Sequence, residues 1–303
     1  MSHAIIANGL RKTYGRFIAV DDLDLQVNTG EVFAFLGPNG AGKTTTLDIL
    51  TGHQRRTSGT VEVLGRDPQR DEREWRVKVG VVPQGTADYS DITVTEVIDH
   101  FATFYPDPIP TGQLIDMVGL GAKAKVMTNK LSGGQRRRLD VAVGVVGRPR
   151  LLFLDEPTTG LDPEARREAW TLVRSLTSQG MTTVLTTHYL DEAQQLAQRA
   201  GIIVRGKMLH VGSLEELAKV SGRHYQVCFD MEPLVDVPFA LAEKLQFKPG
   251  STAYATDEPT ALLRLLLRAA EDRGMREIPG LQVMRPSLEQ VYIDMVERSK
   301  EES

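Results

Sequence analysis

The sequence predicts an α/β protein built on a parallel sheet covered on both faces, with a smaller α+β unit after it. Three observations carry that prediction. Short, continuously apolar runs alternate with helix-period segments between residues 139 and 204, as strands buried on both faces require. A glycine-rich loop over residues 37–42 joins a predicted strand to a predicted helix. Near residues 212–222 the pattern changes to short strands around one long amphipathic helix.

In chain order, residues 4–7, 18–27 and 31–36 read as strands punctuated by Asn8-Gly9 and Thr29-Gly30, so the chain opens β-rich. Residues 43–50 have helical periodicity and stop at Thr51-Gly52. Residues 79–82 predict a strand, and 95–105 a helix ended by the proline-rich stretch 106–110, with a mostly helical middle after it. The α/β pattern resumes as helix 139–146, strand 151–154, helix 163–177, strand 182–186, helix 190–200 and strand 201–204. The remainder reads as strands 225–229 and 252–255, helix 260–273, strand 281–284 and helix 288–297. Leu262, Leu263, Leu266, Leu267 and Ala270 line one face of helix 260–273, and the economical expectation is that they pack on that unit's own strands. On the terminal helix, Val291, Tyr292 and Met295 form a candidate partner surface.

The chain has 303 residues, enough for two domains, and its 41% apolar and 25% charged residues are those of a folded globular protein. A formal net charge of −4 gives no global electrostatic reason to bind nucleic acid or an anionic membrane. The single cysteine, Cys228, excludes an intrachain disulfide and any cysteine-cluster metal site, and reads as a small buried hydrophobe. No apolar stretch approaches the roughly 18 residues of a membrane span, and residues 4–7 are too short for a signal-peptide core. The expectation is a cytoplasmic protein with no span of its own.

Gly37-Pro38-Asn39-Gly40-Ala41-Gly42-Lys43-Thr44-Thr45 matches the phosphate-binding loop pattern. Its glycines let successive backbone N–H groups converge on phosphate oxygens, and the following helix adds its positive N-terminal end. Lys43 is placed to reach the β and γ phosphates and the Thr44 hydroxyl to ligate Mg²⁺. The apolar run 151–154 ends in Asp155-Glu156, where Asp155 suits Mg²⁺ and Glu156 suits polarising a water; a solvated strand end is the plain alternative. Leu131-Ser132-Gly133-Gly134-Gln135 precedes Arg136-Arg137-Arg138 in a first helical turn, where three cations oppose the helix dipole. Either an anion compensates them or they are simply solvated.

Together these segments resemble the ATP-binding subunit of an ATP-binding cassette (ABC) transporter: phosphate loop, LSGGQ signature, then the DE-ending strand, in that family's order. The resemblance covers about residues 3–220 and extends through Gln84 (the family's glutamine loop), Gly160-Leu161-Asp162-Pro163 (its D-loop) and His188 (its switch histidine). Tyr14 matches the aromatic that stacks on adenine. Taken singly, Gln84 reads equally as a polar loop residue, His188 as a satisfied histidine, and Tyr14 as a cross-strand packing partner. The segments 187–193 and 213–217 resemble the exporter branch that includes antibiotic-resistance pumps, and 286–292 resembles the end of that branch's extra C-terminal domain.

The resemblance implies a P-loop NTPase fold with a β-rich N-terminal subdomain, a parallel-sheet core and a helical subdomain over residues 1–220, and an accessory α+β domain over 221–303. It implies ATP and Mg²⁺ as cofactors, with Thr44, Gln84 and Asp155 about the metal. Tyr14, the loop 37–45, Ser132, Gly133, Gly134, Gln135 and Asp162 are the implied nucleotide contacts, and Glu156, His188, Lys43 and Gln84 the implied catalytic residues. It further implies head-to-tail pairing of two copies, each ATP lying between one phosphate loop and the opposite LSGGQ, and that this pairing gives Arg136 to Arg138 a compensating anion. By the same resemblance, a separate integral membrane permease, on whose cytoplasmic side the subunit is expected to sit, is implied to supply the pathway for a drug, antibiotic or lipid-like substrate. An importer ATPase and a soluble non-transport cassette protein are the competing readings. Proteins of the second kind usually carry two cassettes, long coiled coils or zinc motifs, whereas this sequence shows one cassette and none of these additions, and its charge is not basic.

Overall fold

The computed structural model describes residues 2–70, 73–85, 89, 91–178, 180–220, 225–245, 247–284 and 292. The chain divides into two compact units, Met1–Ser213 and Leu214–Ser303. The first runs β1 (His3–Tyr14), β2 (Phe17–Asn28), β3 (Val32–Leu36), α1 (Lys43–Leu50), β4 (Ser58–Val63), α2 (Arg73–Arg76), β5 (Val79–Val82), α3 (Val94–Ala102), α4 (Thr111–Met117) and α5 (Gly133–Val145). It continues with β6 (Leu151–Asp155), α6 (Pro163–Thr177), β7 (Thr182–Thr187), α7 (Leu190–Leu196), β8 (Arg199–Val204) and β9 (Lys207–Ser213).

Two sheets form this unit among the described residues. An antiparallel sheet of order β2-β1-β4 faces its core with Ile5, Ala7 and Leu10 from β1 and Val20, Leu23, Leu25 and Val27 from β2, the alternation of strands with one wet face. The larger sheet has the order β5-β6-β7-β3-β8-β9 and is parallel except for its last pair. Every residue of β3, β6 and β7 is buried, as expected of central parallel strands. Phe33, Phe35, Leu47, Ile49, Leu50, Phe153, Val184 and Ile203 knit both sheets and α1 into one core. Each such side chain contributes roughly 1.5–3 kcal/mol of apolar burial.

This topology positions the site. In a parallel sheet all strands end on one edge, and here Leu36 pairs with Thr187, Val82 with Leu154, and Asp155 with Thr186. The loops that leave β3, β5, β6 and β7 therefore start side by side. They carry the glycine-rich loop, Gln84, Glu156 and His188, at the edge where open α/β sheets bind ligands.

Several boundaries differ from the sequence expectation. The helix read as 139–146 starts at Gly133, because Ser132 and Gln135 close a capping box that offsets the two glycines. Helix α3 ends at Ala102, where the chain tightens into turn bonds such as Tyr105 N–H to the Ala102 carbonyl. The helix read as 190–200 stops at Leu196, and Arg199 and Ala200 are strand residues, drawn into register with Phe33 and Ala34. Strands β4 and β9 lack a clear apolar alternation and were not expected.

The second unit contains α8 (Leu214–Val220), β10 (Tyr225–Phe229), β11 (Glu243–Leu245), β12 (Thr252–Thr256), α9 (Pro259–Asp272) and β13 (Gln282–Met284). Its antiparallel sheet has the order β11-β12-β10-β13. Leu262, Leu266 and Ala270 of α9 pack with Val227, Phe229 and Tyr254 of that sheet, the economical expectation for the leucine stripe, while Leu267 stays exposed. Cys228 is a free, buried thiol. Of the expected helix 288–297, all but Tyr292 lies outside the described residues.

Candidate functional site

The glycine-rich loop owes its path to close backbone approaches. A Cβ at Gly37 would stand 2.3 Å from the Ile203 carbonyl oxygen, and at Gly42 2.4 Å from that of Ala19. Gly42 also takes φ = 104°, which L side chains rarely adopt, as the N-cap of α1. No side chain caps that helix, so its first N–H groups remain free to meet an anion. The loop and Lys43, Thr44, Thr45, Gln84 and Glu156 line a cavity of about 320 Å³ whose rim includes Phe17 and Ala19.

Glu156 is the hub of the cavity. Adjacent residues of a strand normally point to opposite faces, but Glu156 takes φ = 44° just past β6, and this turn lets Asp155 and Glu156 serve one site. Its Oε1 lies 3.6 Å from Lys43 Nζ and 3.4 Å from His188 Nδ1. Its Oε2 accepts hydrogen bonds from Gln84 Nε2 at 2.9 Å and Thr159 Oγ1 at 3.1 Å. The Glu156 N–H donates to Thr186 Oγ1 at 2.9 Å, fixing the turn. Both Lys43 and Glu156 are buried. Lys43 Nζ also donates to the carbonyls of Gly37 at 2.8 Å and Pro38 at 3.2 Å, so the ammonium is aimed back over the loop. Burial pulls the Lys43 pKa below its ordinary value, with Glu156 and Asp155 opposing that shift.

Asp155 accepts from Thr44 Oγ1 at 3.4 Å and from Thr186 Oγ1. Thr44 and Asp155 offer a hydroxyl and a carboxylate, and the Gln84 amide adds a carbonyl oxygen once its nitrogen is engaged by Glu156. Hard oxygen donors of this kind fit Mg²⁺, which keeps several waters and takes further oxygens from phosphate.

The remaining expected residues lie elsewhere in the unit. Tyr14 is paired with Phe17 where β1 turns into β2; its hydroxyl accepts from Gln54 at 3.0 Å and Lys12 Nζ sits 4.8 Å from its ring centroid. Phe17, which no sequence motif marks, is the more exposed ring and lines the cavity. Ser132 accepts from the Gln135 N–H at 3.3 Å, and Gln135 Oε1 accepts from the Ser132 N–H at 3.1 Å. A Cβ on Gly134 would meet Ala165 Cβ at 2.9 Å, so this glycine lets α5 close on the start of α6. There Asp162 caps α6, accepting from the N–H groups of Glu164 and Ala165.

The three arginines after the signature are engaged within the chain. Arg136 donates to the Thr128 carbonyl, Arg137 to three carbonyls, and Arg138 lies 3.4 Å from Glu168. Within the chain, carbonyl dipoles and the carboxylates of Glu168 and Asp140 therefore already compensate these cations.

A phosphate loop facing two acidic residues at the carboxyl edge of a parallel sheet defines a P-loop nucleotide-hydrolysing protein. The family described as "ABC transporter" matches residues 20–159. The chain is 38% identical over 302 residues to the "Nod factor export ATP-binding protein I" of Ralstonia nicotianae, covering 96% of this chain and 92% of that protein. It is 35% identical over 320 residues to the "Daunorubicin/doxorubicin resistance ATP-binding protein DrrA" of Streptomyces peucetius, covering 100% of this chain and 96% of that one. Among solved structures, an ATP-binding subunit of an ABC transporter matches with a TM-score of 0.65 at 22% identity, covering 72% of this chain and 93% of that one. The dimeric, post-hydrolysis structure of an ATP-binding cassette bound to ADP and Pi matches with a TM-score of 0.62 at 25% identity, covering 69% of this chain and 98% of that one. The chain belongs to the ABC transporter family, in the branch of export and drug-resistance ATP-binding proteins, and is a nucleotide-binding ATPase.

Proposed function

We propose that this ATPase energises a membrane exporter by hydrolysing Mg-ATP at the Glu156 cluster. The observation that carries the reading is the convergence of Lys43, Gln84 and His188 on one buried carboxylate at the phosphate loop. Lys43 and the N–H groups of the loop bind the β and γ phosphates, and Thr44, Gln84 and Asp155 would hold Mg²⁺, which would supply further neutralisation of phosphate charge. Glu156 orients or deprotonates the attacking water, and His188, joined to the same carboxylate, contacts the γ phosphate. The chemistry is mainly positioning and electrostatics.

Ser132, Gly133, Gly134, Gln135 and Asp162 lie outside the Lys43 cavity and are assigned to the nucleotide of a second copy, in a head-to-tail dimer with ATP at both junctions. No helix among the described residues is long and apolar enough to cross a membrane. A permease on the cytoplasmic side of which the dimer docks supplies the pathway. The relatives named for daunorubicin/doxorubicin resistance and for Nod factor export support an exported small molecule, such as a drug or antibiotic, as the substrate. Residues 221–303 serve as an accessory domain in assembly. Sizing chromatography of Glu156→Gln with Mg-ATP tests the pairing: the expected result is a dimer with ATP and a monomer without. An ATP-loaded variant that stays monomeric at high concentration contradicts pairing by the subunit alone.

A further inference from the structure

Arg137 is not among the residues that line the cavity, yet it is almost fully buried, on the helix that begins with Gly133. Its guanidinium donates through Nη1 to the Pro83 carbonyl at 2.6 Å, through Nη2 to the Asp155 carbonyl at 3.0 Å, and through Nε to the Pro157 carbonyl at 2.8 Å. Pro83 precedes Gln84, and Asp155 and Pro157 flank Glu156. One rigid fork thus holds the backbone on both sides of the hub carboxylate and just ahead of its amide partner.

Burying a guanidinium is costly, and an apolar side chain of similar volume is often as stable or more so. The placement is also specific: a fork of fixed donors fits three converging carbonyls as an ammonium cannot. Glu156 needs such support, since a non-glycine residue at φ = 44° persists only where its surroundings over-determine it. The same helix is capped by Ser132 and begins at Gly133, so Arg137 ties the helix that follows the signature to the Asp155 carbonyl beside Glu156.

We infer that Arg137 is a positioning residue: it holds Gln84 and Glu156 in hydrolytic register. This rests on the assignment of Glu156 to hydrolysis, and the test separates the two claims. The full chain is assayed as wild type, Arg137→Gln, Arg137→Lys and Glu156→Gln, with kcat, KM, ATP affinity and thermal midpoint recorded for each.

The expected result is a kcat lowered by about 10²-fold in Arg137→Gln, the scale of an ångström-level misplacement, with ATP affinity within about twofold of wild type. Arg137→Lys recovers part of the loss. A folded Arg137→Gln with wild-type kcat overturns the inference. So does a kcat that falls only in step with affinity and thermal midpoint and is not recovered by lysine. Where Arg137→Gln does not fold, Arg137→Lys decides: lowered kcat at unchanged affinity supports positioning, and unchanged kcat overturns it. Full activity in Glu156→Gln instead removes the hydrolytic assignment itself.

Discussion

Lys43 Nζ stands 3.6 Å from Glu156 Oε1 with both side chains buried, so the cation that should grip phosphate already faces the carboxylate that should activate water. A γ phosphate entering the cavity competes with Glu156 for this ammonium. Lys43→Ala is expected to weaken ATP binding about 10–100-fold, for a charge-assisted bond worth ~1.5–3 kcal/mol. Equilibrium binding with a fluorescent ATP analogue measures it, and wild-type affinity in that variant contradicts the phosphate assignment.

Phe17 rather than Tyr14 lines the cavity, although the two are paired across the β1–β2 turn. Base stacking on an aromatic ring contributes ~1–3 kcal/mol, so Phe17→Ala should weaken ATP about fivefold or more. Inorganic tripolyphosphate, which has no base, should bind both proteins alike. Tyr14→Ala, measured beside it, apportions the stacking between the two rings. Unchanged ATP affinity in Phe17→Ala removes Phe17 from the base site.

Asp140 is buried near Arg137, its carboxylate oxygens make no hydrogen bond among the described residues, and burial pushes its pKa up to about 6 against the pull of Arg137 and Arg136. A raised carboxylate pKa means the folded state binds the proton more tightly than the unfolded chain. Its contribution is therefore most favourable at low pH and is lost as pH rises from its ordinary 3.8 through about 6. Denaturant unfolding of wild type and Asp140→Asn across this range should show the asparagine variant gaining relative stability up to about pH 6 and a flat difference above. A difference independent of pH contradicts the raised pKa.

A chain ending at residue 220 is expected to keep ATP binding, since every proposed ATP-contacting residue lies before residue 204. It should lose assembly with the permease or the second copy, read by co-purification and sizing. A folded truncation that no longer binds ATP places part of the site after residue 220.

The candidate site was legible in the sequence because the chemistry proposed for it demands particular residue types at fixed spacing. Glycines at 37 and 42 answer backbone clashes, and Asp155-Glu156 can only follow a buried strand at its end. The fold was legible where strands are fully buried, as in β3 and β6. Strand β4, with only Val61 and Val63 buried, and β9, with only Gly212 buried, are edge strands that carry too little apolar signal. The role of Arg136 to Arg138 was not legible, because carbonyls from distant segments leave no mark in a local pattern. Phe17 was hidden for a similar reason: only the turn after Tyr14 brings it over the loop.

ATP hydrolysis depends on the Glu156 carboxylate in this mechanism, and the rate of phosphate release from Mg-ATP by wild type and Glu156→Gln measures that dependence. The predicted result is a steady rate for wild type and a fall of about 10²–10⁴-fold in the variant, with ATP binding retained, as for loss of a general base. A Glu156→Gln protein that binds ATP and hydrolyses it at the wild-type rate contradicts the claim.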